Sequence, residues 1–162
     1  MRLSMTGNQL IEEFENGATP EGSFHHADHV RLAFEYLTRF PVLLALEKFS
    51  TALQRFAAAR GKAGLYHETI TWTYLLLIRE RMARASRHQS WDEFSLGNPD
   101  LLIWKGGILD RLYRKQTLDS PLARAVFVFP DHILALSLKR LPLGSYYGAF
   151  RCARMKLPAQ EA

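Results

Sequence analysis

Along most of this chain apolar residues return every three or four positions, the period of a helix with one buried face. Leu10, Ile11 and Phe14 make such a side in a first segment. It opens on Thr6 with Gln9 three residues on, a capping box, and closes on Asn16-Gly17. A second helix covers roughly residues 24 to 39, with Val30, Ala33, Phe34 and Leu37 inward and Pro41 as its break. A third runs from about Pro41 to Arg60, burying Val42, Leu46, Phe49, Leu53, Phe56 and Ala57, with Gly61 as its stop. The fourth has a different pattern. Seven of the nine residues from Ile70 to Ile78 are apolar or aromatic, and they lie all round the helix. Such a helix belongs in the middle of a domain. It should continue to about Ala85, with Arg79, Arg81 and Arg84 near its C-terminus, where positive charge suits the helix dipole.

Beyond that the periodicity weakens and the caps carry more of the reading. Ser90-Trp91-Asp92-Glu93 is a second capping box. Asn98-Pro99 opens another element, to which Leu101, Leu102 and Trp104 belong. Gly106-Gly107 kinks it before the stripe resumes at Ile108, Leu109, Leu112 and Tyr113. Ser120-Pro121 starts a helix with Leu122, Ala125, Val126 and Phe127 inward, closed by Phe129-Pro130-Asp131. Residues 132 to 142 and 146 to 155 are expected to be helical. Residues 126 to 129 alone read like a strand, and one short strand makes no sheet. The fold class is therefore all-α: a single-domain helical bundle of about six to eight helices over residues 1–162, with 157–162 as a disordered tail.

The first turn of the fourth helix carries Tyr66, His67, Glu68 and Thr69 into a core. Polar groups entering a core together need partners, because an unpaired one costs roughly 2–7 kcal/mol. The other unusual stretch is His25-His26-Ala27-Asp28-His29. Stepping back along the face of Val30 and Phe34 reaches His29 and His26, which are helical neighbours. A metal ion on His26, His29 and His67 would leave an open position for chemistry. Zinc, iron or manganese would suit it. Glu68 would then move the proton, with Tyr66 beside it as a second catalytic group. Thr69 and Thr71 would orient the substrate, Arg124 would hold its acidic group, and His25 and Asp28 would steady the ligands. That reading predicts a small metal-dependent enzyme of the hydrolase or lyase/isomerase type. The same residues could also do acid–base work without metal, or sit as hydrogen-bonded core histidines in a non-catalytic ligand- or partner-binding module. An ion pair with Asp119 or Asp131 is the structural alternative for Arg124.

The strings Phe24-His25-His26-Ala27-Asp28-His29, Tyr66-His67-Glu68-Thr69, Leu118-Asp119-Ser120-Pro121-Leu122-Ala123-Arg124 and Phe129-Pro130-Asp131 together resemble a family of small bacterial helical proteins without assigned function. The resemblance spans most of residues 24 to 131 and implies an all-helical fold but no activity. In plan the chain is also similar, more distantly, to the DinB-like helical bundles, which place three histidines from different helices on one metal. Its ligand spacing differs from theirs.

Composition changes this picture in two places. Cys152 is the single cysteine, which excludes an intramolecular disulfide and a cysteine-based structural zinc site. With no apolar leader and no apolar run near the ~20 residues of a bilayer span, a cytoplasmic protein without a membrane partner is expected. The net charge of +5 is uneven. Residues 132 to 156 hold Lys139, Arg140, Arg151, Arg154 and Lys156 and no acid, interleaved with Tyr146, Tyr147 and Phe150. That mixture makes a nucleic acid an alternative partner to a small-molecule substrate.

Overall fold

The computed structural model describes residues 5–20, 24–85 and 87–131. Among them are eight α-helices and two 3-10 turns, and no strand. The all-α class expected from the periodicity is the class observed. The expected helices after residue 131, together with His132, Cys152 and the aromatic and basic residues from Tyr146 to Arg154, lie outside the described residues.

Local chemistry sets most element ends. Helix α1 (Gly7–Glu15) begins where the Gln9 N–H donates to Thr6 Oγ1 and Gln9 Oε1 accepts the Thr6 N–H at 2.9 Å. Gly17, at φ +69°, turns the chain out of it. Helix α2 (His26–Arg39) is fixed at its start by Asp28, whose carboxylate accepts the His25 N–H at 2.8 Å. Pro41 forces the preceding Phe40 into extended backbone, which ends α2. Helix α3 (Val42–Ala58) follows at once and leaves through Gly61 at φ +65°. A 3-10 turn (Ala63–Leu65) leads to α4 (Glu68–Arg84).

Helix α4 takes the central place its sequence predicts. It packs most extensively on α2 and also touches α3 and the last described helix. Leu75 and Ile78 are wholly buried on it, as are Leu32 and Tyr36 of α2 within the same core. That core is one cluster. It includes Phe94 from α5 (Trp91–Gly97), Leu101 from the second 3-10 turn (Pro99–Leu102), and Ile108 and Leu109 from α6 (Ile108–Leu112). Arg81, near the end of α4, pins the second turn. It donates two hydrogen bonds to the Asp100 carboxylate and one to Asn98 Oδ1 at 2.7 Å.

Two stretches depart from the periodic reading. The helix expected from Asn98 through Trp104 is only a 3-10 turn, which ends at Leu102 and leaves a half-exposed Trp104 beyond it. The chain must instead bend tightly, because Gly107 lies against the Ile103 carbonyl: a Cβ there would sit 2.0 Å from that oxygen. After α7 (Lys115–Leu118), helix α8 (Pro121–Ala125) is five residues long. It buries Ala123, while Leu122 and Val126 point outward, contrary to the expected face. Val126 is extended, and residues 126 to 129 form neither helix nor strand.

Candidate functional site

At the starts of α2 and α4, His26, His67 and Thr69 bond to backbone groups of the chain itself. His67 precedes α4 as its N-cap and is only 7% exposed. Its Nδ1 accepts the Ile70 N–H at 3.3 Å, and its Nε2–H donates to the Leu118 carbonyl at 2.8 Å. Those two bonds place the proton on Nε2 and the lone pair on Nδ1. Neither nitrogen has a lone pair to offer an ion or a substrate. Thr69, fully buried, is bonded on both sides: its hydroxyl donates to the Val126 carbonyl at 2.8 Å and accepts the Val128 N–H at 3.0 Å. One turn on, the Thr73 hydroxyl donates to the Tyr113 oxygen at 2.9 Å, and the Tyr113 O–H donates to the Val128 carbonyl at 2.9 Å. Phe127 stacks on Trp72 at 5.7 Å. The first half of α4 is thus a clasp for residues 118 to 128. Tyr113 and Thr73 were not among the sequence candidates. The four-residue spacing of Thr69 and Thr73 on one helical row was the available signal.

The remaining candidates sit around this clasp. The Tyr66 hydroxyl donates to Glu68 Oε2 at 2.6 Å. Burial, then the bond to Glu68, pushes that phenol up to about 12, although Ser50 and Gln54 of α3 lie near it and pull the other way. Tyr66 therefore keeps its proton at neutral pH and serves as a donor to Glu68. Arg124 is exposed and donates to the carbonyls of Gly64 at 3.0 Å and Tyr66 at 3.4 Å. It forms neither the expected ion pair nor a buried anion site. Thr71 is buried on α4. His25 is exposed, with Asp28 on its own backbone N–H.

His26 and His29 face inward as expected, but to different neighbours. His26 Nε2–H donates to the Leu101 carbonyl at 2.9 Å, and its ring stands against Tyr74 at 4.8 Å and Trp104 at 5.1 Å. Burial lowers its pKa below the ordinary value. The His29 ring meets Phe24 edge-on at 4.3 Å, within a stack that continues to Phe14 and Phe56. Burial, and then the charge of His26, brings His29 down to about 4. Each imidazole thus has a partner of its own: His26 a carbonyl, His29 a phenyl ring, and His67 its cap and the Leu118 carbonyl. Among the described residues no group of three or more His, Cys, Asp or Glu side chains is placed to hold a metal ion. The three-histidine ligand set does not assemble, and no described group fits zinc, iron or manganese in its stead.

No helix among the described residues is long and apolar enough to cross a membrane. No protein-family model, curated protein or solved structure matches the chain.

Proposed function

We propose that this chain works by binding, as a non-catalytic helical module, and that the histidines and threonines at its centre hold the module together. One observation carries the reading. Catalysis needs a lone pair or proton directed at the substrate, whereas both nitrogens of His67 and the hydroxyl proton of Thr69 are bonded to this chain's own backbone. Metal analysis of tag-free protein, with thermal melts in zinc, manganese and iron(II), tests it. The expected result is substoichiometric metal and a melting temperature that does not move. One bound equivalent, with a thermal shift lost in His26→Ala and His29→Leu, would restore the metal-dependent hydrolase or lyase.

A second reading, nucleic-acid binding, draws support from the charge distribution. Six of the 21 cations but only two of the 16 acids lie outside the described residues, so the described part is close to neutral. A nucleic-acid site would accordingly depend on Arg151 and Arg154 with Tyr146 and Tyr147. A gel shift that weakens steeply with salt and is lost in Arg151→Gln/Arg154→Gln would favour it.

A further inference from the structure

A groove of about 450 Å³ runs along the outer face of α3, closed on its other side by the end of α1. Its volume falls in the range of small-molecule sites, roughly 300–1,000 Å³. The floor is apolar. Phe14 and Phe56 stack at 4.7 Å, with Ala52 and Leu44 continuing the surface along α3. Cations stand at the C-terminal end of α3. Arg60 lies flat over the Phe56 ring, 3.6 Å from its centroid. Its guanidinium is anchored by two carbonyls, Phe56 at 3.2 Å and Thr19. It has no carboxylate partner among the described residues, and its Nε is buried without any acceptor. Arg55, one turn earlier on the same wall, is exposed and forms no ion pair among the described residues. Carbonyl anchoring fixes a guanidinium in space without neutralising it, which leaves a preoriented donor fork suited to carboxylate or phosphate.

The acids of the groove do not cancel this arrangement. Glu15 already accepts the Tyr36 O–H at 2.7 Å. Glu47 stands eight residues before Arg55 on α3, about 12 Å away at 1.5 Å per residue. Lys48 leans over the Phe40 ring. The groove therefore has Glu47 with Lys48 at one end and is cationic at the other, beside the Phe14–Phe56 stack.

We propose that this groove binds a small amphipathic anion, an aromatic or branched aliphatic body bearing one carboxylate or phosphate, with the acid group on Arg55 and Arg60 and the body along the Leu44, Ala52 and Phe56 side of α3. This deepens the binding reading by naming a ligand class. The metal assay and the test below use different observables, so either can fail alone.

The test is an NMR titration of the full chain with phenylacetate, phenyl phosphate and the neutral 2-phenylethanol, each to about 10 mM, a range that reads millimolar affinity. At least one anion should shift the amides of residues 14–17 and 51–60 along a saturating curve, and the better anion identifies the acid group. The alcohol should bind about five-fold more weakly or worse, and Arg55→Gln should cost the anion about the same factor, as expected for one partly screened charge contact. Arg55→Gln should leave the unfolding midpoint unchanged, since the exposed Arg55 side chain forms no ion pair among the described residues. Thr51→Trp, an exposed wall position, should fill the groove and abolish the shifts. Absence of saturable shifts with both anions, shifts mapping elsewhere, equal affinity for the alcohol, or indifference to Arg55→Gln would each overturn the proposal.

Discussion

His67 combines two duties in one ring, and its substitution separates them. His67→Ala removes an N-cap, worth about 1 kcal/mol, and leaves the Leu118 carbonyl without its donor, about 1–3 kcal/mol more. Urea unfolding should show a loss of about 2–4 kcal/mol. His67→Asn keeps a capping acceptor but is too short to reach Leu118, so it should recover only about 1 kcal/mol of that loss. A loss below about 0.5 kcal/mol in His67→Ala would deny the ring its structural role. His29 makes a pH-dependent contribution instead. Its imidazole titrates near 6.5 when unfolded and at about 4 when folded. Between those values the unfolded chain binds the proton and the fold does not. Stability is therefore complete above pH 6.5 and falls as pH drops through the window, by about 2–3 kcal/mol at pH 4.5. Replacing the ring by phenyl in His29→Phe should flatten that share of the pH profile. Identical slopes for the two proteins between pH 7.5 and 4.5 would show that His29 is not held neutral.

At the scale of elements, the stretch 126–128 owes its shape to α4. A segment in neither helix nor strand must find other partners for its backbone groups. Here Thr69 and Tyr113 supply hydroxyls to the inward-facing carbonyls and amide. The Asp131 carboxylate, accepting the Arg114 N–H at 2.8 Å, secures the far end. Thr69→Val keeps the shape of the side chain and removes both of its bonds. The expected cost is about 1–3 kcal/mol, and the Val128 amide should exchange with solvent much faster in the variant. Unchanged exchange at Val128 would mean that the clasp does not hold the segment.

At the scale of the whole molecule, one apolar cluster joins α1 to α4 with α5, the second 3-10 turn, α6 and Tyr113. A single cluster predicts a single cooperative transition. Trp72 lies on α4, Trp91 starts α5, and Trp104 sits in the loop beside His26. Tryptophan fluorescence and helical circular dichroism should therefore give coincident urea curves. Separate midpoints would divide the chain into α1–α4 and the segments that follow.

Elements whose ends depend on contacts within four residues were legible in the chain itself. Thr6 with Gln9, Ser90 with Glu93, and Ser120 with Pro121 mark helix starts that the structure reproduces. The apolar girth of residues 70–78 announced a central helix. The sequence also indicated that the polar start of that helix must find partners in the core. It could not say which partners, because they lie 51 to 59 residues away and most are backbone groups. Every residue carries such groups, so no side-chain pattern distinguishes the carbonyls of Leu118 and Val126. For the same reason α8 stops at Ala125 although apolar residues continue: the backbone beyond it is bonded to the Thr69 and Tyr113 hydroxyls instead of to itself. Local pattern determined the helices and the one at the centre. Only the tertiary structure decided that the histidines act as caps and clips, because a ring nitrogen's role depends on what stands opposite it.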